Sequence, residues 1–164
     1  MDEVDRILLA WSRETPDLDV SPLGVLSRVS RLARYLDLAR RDAFARHNLD
    51  TWEFDVLAAL RREGPPYELS PGQLIQQTLS TSGTMTNRVD RLVERGLVER
   101  LPDPRDRRGV RVRLRSEGRV IVGAALADLV QRERQILTGL TEREREDVAD
   151  LLRRLVEPFE SNDL

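Results

Sequence analysis

The chain has 164 residues, with 27 basic and 29 acidic side chains and a net charge of −2. This length predicts one domain that is large enough to bury a hydrophobic core. There is no cysteine and only one histidine, His47. The composition therefore excludes disulfides and thiol switches, and it argues against a zinc site or a histidine-based catalytic triad. Because no long apolar run or signal peptide is visible, we expect a cytoplasmic protein, and we predict no cofactor.

The N-terminal part of the chain predicts two helices. Residues 2–14 form the first, with an apolar face made of Val4, Ile7, Leu8 and Trp11. The second begins at Ser21-Pro22 and runs to about His47. Its apolar stripe consists of Leu23, Leu26, Val29, Leu32 and Leu36. Since a helix of ~25 residues spans roughly 37 Å, which is more than one small domain needs, we expect a partner surface along it.

A third helix is predicted over Thr51–Arg62, after Asn48 ends the second one. Asp50 is its expected cap, and Glu53, three residues further on, is the partner that completes a capping box. The helix is apolar almost throughout except for Asp55, where an unpaired buried carboxylate would be costly. Gly64-Pro65-Pro66 ends it, and residues 67–69 are short enough to be the third strand of a small wing sheet.

Two short helices then lead into a β-hairpin, a pattern that predicts a winged helix-turn-helix. Ser70 caps the first of these helices with Gln73 placed to bond back, and Leu79 closes it. Residues 80–82 supply the turn and the cap of the next helix, which Gly96 ends. The buried face of that helix is predicted to comprise Met85, Val89, Leu92 and Val93. Residues 97–101 and 110–114 alternate as paired strands around a loop at 102–109.

In the predicted helix-turn-helix, the second of the two short helices has, on the face opposite its buried residues, the residue types of a DNA-reading helix. Small and amide side chains near its start allow a close approach to base edges in the major groove. These residues are Ser82, Gly83, Thr84, Asn87 and Arg91.

Positive charge is concentrated in the same part of the chain. Between Arg88 and Arg115 there are ten arginines against five acidic residues, although the whole chain is slightly acidic. A local positive field of this kind is what contacts with DNA phosphates require. The alternative is that these arginines form an ordinary solvated face.

The hairpin carries a family resemblance. Residues 103–109, DPRDRRG, resemble the DxRDxR wing signature of MarR-family transcriptional regulators, and the order of elements along nearly the whole chain is also similar to theirs. The resemblance implies that wing arginines enter the minor groove or contact phosphates and that neighbouring aspartates organise the loop. The matching positions here are Arg105, Arg107 and Arg108 for the DNA contacts and Asp103 and Asp106 as organisers.

The C-terminal part predicts two more helices. One begins at Ser116 and runs to about Leu137, and the other is capped by Thr141 with Glu144 and ends near Pro158. The fold class is therefore mainly α with a small β-wing. We expect residues 1–47 and 116–164 to be dimerisation helices around a DNA-binding lobe at 48–115, all in one compact domain. A twofold homodimer would place its two reading helices in successive major grooves, roughly 34 Å apart. The alternative is an ordinary helical core inside a monomer.

Three residues resemble the ligand set of the urate-responsive branch of the MarR family, namely Trp11, Asp55 and Arg88. That branch has an added N-terminal helix with a Trp, an Asp on the helix before the DNA reader and an Arg on the recognition helix. The resemblance implies a small planar or carboxylated anion bound between the lobes, with urate as one candidate. The branch also has an Asn eight residues after the Asp, where this chain has Glu63, so the identity of the effector is left open.

The residues leave other interpretations open. Trp11 is also suited to an interface, Asp55 to a salt bridge and Arg88 to a phosphate contact, which would make the protein a repressor without this ligand. A helical adaptor without a DNA role would leave the charge of the wing unexplained. No nucleophile–base pair, metal cluster or phosphate loop suggests an enzyme.

Overall fold

The computed structural model describes residues 1–78, 80–104 and 106–160, apart from the side chains of residues 107 and 108. The N-terminal half contains the helices α1 (Glu3–Glu14), α2 (Ser21–Ala45) and α3 (Thr51–Arg62), the strand β1 (Glu68–Leu69) and the helices α4 (Pro71–Thr78) and α5 (Ser82–Glu94). It is followed by the strands β2 (Val98–Asp103) and β3 (Asp106–Leu114), the helix α6 (Ser116–Ile136), a short 3₁₀ turn (Leu137–Gly139) and the helix α7 (Glu142–Glu160). The predicted fold class, mainly helical with a small β-wing, is confirmed.

Local capping explains where the helices in the middle of the chain begin. Asp50 and Glu53 form the predicted capping box at α3. Ser70 Oγ accepts a hydrogen bond from the Gln73 main-chain N–H, while the Gln73 side chain accepts one from the N–H of Ser70. Gly96 has φ +69°, the left-handed backbone that a residue just past a helix end often needs. The predicted closing residue of α4, Leu79, lies outside the described residues.

The three strands form an antiparallel sheet in the order β1-β3-β2. Glu68 is opposite Arg113, and Val98 is opposite Leu114 at the base of the hairpin. The strands continue nearly to the tip, where Asp103 is opposite Asp106. The prediction of a loop over 102–109 was therefore wrong, because pairing of β2 with β3 extends regular structure into this polar stretch.

The hydrophobic core is formed by the helices and strands between α3 and β3, together with the end of α2 and one face of α6. The rings of Phe44 and Phe54 stack with centroids 4.0 Å apart. Around them the core is closed by Leu57, Leu60, Leu74, Met85, Val89, Leu92, Val98, Val112, Val122 and Ala125. This packing fixes α5 and the sheet relative to α3.

Two details at helix surfaces and ends differ from the sequence-based expectation. Val93 is 38% exposed, since it follows Leu92 around α5 and turns away from the core. Ser116 is the first residue of α6 rather than its cap, which is Arg115, and the Ser116 hydroxyl bonds to Glu117. The last helix ends at Glu160, close to the predicted end near Pro158. Across the described residues, none of the helices combines the length and apolar character that crossing a membrane requires.

Candidate nucleic-acid interface and adjoining pocket

The helix α5 is held by polar contacts along its C-terminal half. Arg95, just past its end, donates to the main-chain oxygen of Asn48 at 2.7 Å and has Nη1 2.6 Å from Glu53 Oε1. Arg100 of β2 pairs with Asp90 on the same helix. These contacts join the start of α3, the end of α5 and the base of the wing.

The residues predicted to read DNA share the solvent-exposed face of α5. Ser82, Gly83, Thr84, Asn87 and Arg91 are all exposed, whereas Met85, Val89 and Leu92 on the other side are buried. The helix begins after Thr81, whose hydroxyl donates to Thr84 Oγ1 at 2.8 Å. A side chain added at Gly83 would meet no atom within 4 Å, so this end of the helix is open to a partner.

The wing is held by an ion pair across the hairpin. Arg111 Nε lies 2.8 Å from Asp103 Oδ2, and both side chains are largely shielded from solvent. At Gly109 a Cβ atom would lie 2.8 Å from the Asp103 Cβ, so the close approach of the strands requires glycine here. Asp103 thus organises the wing as expected, and Asp106 is exposed at its tip. Arg105 lies outside the described residues; Arg107 and Arg108 lie on β3, but their side chains are outside the description.

A cavity of about 610 Å³ lies against α5, between α2 and α3. Two of the three predicted ligand residues, Asp55 and Arg88, line it together. Its other polar and aromatic lining residues are Asp37, Arg41, Asp50, Thr51 and Trp52. Carboxylates and guanidiniums therefore face the same space, a combination that suits a ligand with both N–H donors and acidic oxygens.

Asp55 is half-buried, and burial raises its pKa above the usual range, while the charges of Arg40, Arg88 and Arg62 act in the opposite direction. Its carboxylate pairs with Arg40 Nη2 at 2.9 Å. Asp55 is therefore paired with the guanidinium of Arg40 on α2 rather than with that of Arg88. Arg88 acts on Asp55 only through space.

Arg88 lies on the flank of α5 that faces the pocket. Its Nη1 donates to Ser80 Oγ at 3.2 Å, and its Cζ lies 5.5 Å from the centre of the Trp52 ring. The guanidinium thus reaches toward α3 and the cavity rather than away from the protein.

Trp11 does not reach this cavity within one chain. The helix α1 lies along the first half of α2, where Arg28 bonds to Asp2 and Asp5. The pocket residues Asp37 and Arg41 are at the other end of α2, roughly 15–20 Å further along at 1.5 Å per residue. Trp11 is on α1 and 48% exposed.

Sequence reasoning missed Arg40, Arg41 and above all Trp52. One signal was available, since Trp52 precedes Asp55 by three residues and such pairs share a face of a helix. The contribution of α2 had no comparable signal, because it depends on how α2 packs against α3.

In the described part of the chain, a helix-turn-helix packs one face on the core and exposes the face predicted to read DNA. The paired strands β2 and β3 form a wing beside it, and together these features define a winged-helix DNA-binding protein. The chain belongs to the MarR family of transcriptional regulators, and the model of this family matches residues 47–109. It is 37% identical to the HTH-type transcriptional regulator PecS of Dickeya dadantii over 160 residues, covering 98% of this chain and 96% of that protein.

Solved structures with similar folds include a complex with operator DNA and a regulator whose DNA binding responds to a small molecule. A variant of Escherichia coli MarR bound to operator DNA has 28% identity and a TM-score of 0.69, over 89% of this chain and 97% of that one. Bordetella bronchiseptica BpsR, whose DNA binding is regulated by 6-hydroxynicotinic acid, has 29% identity and a TM-score of 0.62, over 77% of this chain and 91% of that one.

Proposed function

We propose that this regulator is a homodimeric repressor that releases a pseudo-palindromic operator when a small planar anion binds beside the recognition helix. The observation that carries the proposal is that Arg88 belongs to α5 and lines the same cavity as Asp55. A ligand in this cavity contacts the helix that reads DNA, so ligand binding can shift that helix directly and change the affinity for DNA.

DNA binding divides between two elements. The exposed side chains at the start of α5 enter the major groove, and Asn87 and Arg91 have the donors and acceptors that discriminate bases. The wing arginines, Arg105, Arg107 and Arg108, contact the minor groove or phosphates, while Asp103 and Asp106 organise the hairpin.

The terminal helices supply the dimer interface. Apolar side chains on α2 that face solvent include Leu23, Leu26, Val29 and Leu32. The helix α7 also exposes an apolar row, which consists of Val148, Leu151, Leu152, Leu155, Val156 and Phe159. Surfaces of this kind on two long helices are typical of obligate interfaces rather than of free monomers. Dimerisation also offers Trp11 a route to the pocket of a second copy.

The ligand is planar and acidic. Trp52 in the cavity offers a flat surface, Arg41 and Arg88 offer positive charge, and Asp55 accepts hydrogen bonds from ligand N–H groups. Urate and 6-hydroxynicotinic acid both combine a planar ring with an acidic group. The latter regulates DNA binding by BpsR, a protein similar to this chain.

A repressor that does not respond to this ligand is the second candidate. Asp55 is already paired with Arg40, and Arg88 is already bonded to Ser80. Trp11 is away from the cavity within one chain. These contacts suit a purely structural role for all three residues.

The experiment that separates the candidates uses a duplex selected from random sequence by the wild-type protein. Fluorescence anisotropy would measure the affinity for this duplex while urate or 6-hydroxynicotinate is added. A loss of affinity with either compound, and not with an uncharged planar control such as benzamide, supports the ligand-responsive repressor. Unchanged affinity at saturating concentrations of both acids supports the second candidate.

A further inference from the structure

Trp52 lies between the pocket and the DNA-reading face. It is the second residue of α3 and lines the cavity together with Arg88. Its ring is also approached by Arg91, whose Cζ lies 5.0 Å from the ring centre. Arg88 and Arg91 are one turn apart on α5, so one indole contacts a pocket arginine and a DNA-facing arginine together.

Asp50 contacts both Trp52 and Arg91. The indole Nε1–H donates to Asp50 Oδ2 at 3.2 Å, and the same carboxylate oxygen is 3.9 Å from Arg91 Nη2. Asp50 is itself held by the capping box at the start of α3. The ion pair of Arg95 with Glu53 keeps this end of α3 against α5. The position of the ring beside Arg91 is therefore set by the fold.

A cation–π contact uses the flat face of a guanidinium and leaves the N–H groups around its edge available. Those edge donors are the ones that pair with a guanine in the major groove. An arginine held against a ring also loses less side-chain entropy when it binds, because one orientation is already favoured.

We propose that Trp52 is a positioning residue that presents Arg91 to DNA and passes changes at Arg88 to it. The proposal rests on the proposed function, namely that Arg91 reads bases and that a ligand binds at Arg88. A ligand that draws Arg88 away, or that stacks on the indole itself, changes the surface against which Arg91 is held. The pocket then acts on one base contact as well as on the position of the whole helix.

The test is a double-mutant cycle on the selected duplex with Trp52→Leu, Arg91→Ala and the combination. Trp52→Leu should weaken binding about two- to fivefold, the size expected of an exposed cation–π contact. It should also relax preference at the same base position as Arg91→Ala. In the Arg91→Ala background it should have no further effect, and Trp52→Phe, which keeps an aromatic face, should recover part of the loss.

Tyr67→Leu is the matched control, because Arg119 lies over the Tyr67 ring at 5.3 Å without involving α5. It should leave both affinity and base preference unchanged. Circular dichroism would check folding, and Trp52→Met, which also lacks an aromatic face, supplies the same comparison if Trp52→Leu fails to fold. Wild-type affinity and preference in Trp52→Leu, or effects that simply add to those of Arg91→Ala, would overturn the proposal.

The outcomes separate this inference from the function on which it rests. If Arg91→Ala weakens binding but the Trp52 variants do not, only the positioning role is lost. If Arg91→Ala binds as wild type does, the base-reading role of Arg91 fails and the inference fails with it. Repeating the cycle with urate and with 6-hydroxynicotinate should give a smaller ligand effect in Trp52→Leu than in wild type. An equal ligand effect in both proteins would contradict the link to Arg88.

Discussion

Arg95 Nη1 lies 2.6 Å from Glu53 Oε1, which joins the end of the recognition helix to the start of α3. Glu53 is the one charged residue buried in the described structure, with a side chain that is 3% exposed. This contact is an ion pair that places a positive charge beside the buried oxygen. The other oxygen of Glu53 accepts from the Asp50 N–H in the capping box.

Removal of Arg95 should destabilise the protein. Arg95→Ala leaves the buried carboxylate of Glu53 uncompensated, which we expect to cost about 3 kcal/mol in the free energy of unfolding, the lower end for a buried pair because the Arg95 side chain is 33% exposed. Urea denaturation would measure this loss. Arg95→Ala combined with Glu53→Gln should be less destabilised than Arg95→Ala alone, because the amide carries no charge that needs a partner. Equal stabilities of the single and double variants would contradict this account.

The two DNA-binding elements should fail in different ways. Arg107→Ala or Arg105→Ala removes a groove or phosphate charge, so affinity should fall for all sequences and its salt dependence should become shallower. Asn87→Ala should instead relax base preference by about 1–3 kcal/mol for a lost base contact. Anisotropy at several salt concentrations, with the selected and a scrambled duplex, would measure both effects. Wild-type affinity of the wing variants at moderate salt would make the wing only structural.

Arg88 should couple ligand to DNA. A ligand that prefers the DNA-free conformation weakens DNA binding by the same factor by which DNA weakens the ligand. Arg88→Ala should keep the dimer and substantial DNA affinity while losing most of the response to urate or 6-hydroxynicotinate. Titration of the ligand against free and DNA-bound protein would measure the coupling from both sides. Because the proposed dimer brings Trp11 to the pocket of the second copy, ligand should also partly quench Trp11 fluorescence in a Trp52→Phe background. An unaltered response in Arg88→Ala would rule out this mechanism.

The dimer should depend on the exposed apolar rows. Leu151 and Leu155 on α7 are 57% and 45% exposed, so replacing both with Glu should leave each subunit folded but prevent burial of this face. Analytical ultracentrifugation should then detect monomers, and binding to the selected palindrome should be lost with the dimer. Val93→Glu, a change at an exposed position on α5, should remain dimeric. A monomeric wild-type protein at micromolar concentration would contradict the proposed assembly.

The contact of α1 with α2 should weaken in acid. A hydrogen bond from Arg28, followed by one from the Asp5 main-chain N–H, lowers the pKa of Asp2 from 3.8 to about 2. Because the folded-state pKa is the lower one, this contact stabilises docking above pH 3.8 and is lost as the pH falls toward about 2. Hydrogen exchange of α1 amides, compared with that of α3, should show the loss. Arg28→Leu should speed exchange of these amides already at neutral pH and reduce the further effect of acid, whereas an identical pH dependence would contradict the assignment.

The sequence by itself determined the local elements. The caps at Asp50 and Ser70, the glycine at position 96 and the burial of Met85, Val89 and Leu92 were readable because each depends on neighbours within one turn of a helix. The exposed face of α5 followed from the same spacing. The wing signature also placed Asp103 in its organising role. The length of the wing strands did not follow, since the pairing of β2 with β3 overrides the turn-like composition at their tip.

Only the tertiary structure decided which side chains meet in the pocket. Asp55 and Arg88 were identified from a resemblance, and their shared cavity depends on the packing of α3 against α5. Asp55 pairs with Arg40 rather than with Arg88, and the cavity is lined by Trp52 of the same chain rather than by Trp11. Both outcomes depend on how α2 crosses α3. Such contacts join residues 15 or more positions apart, and short-range periodicity carries no information about them because the angle between two helices is set by the whole core between them.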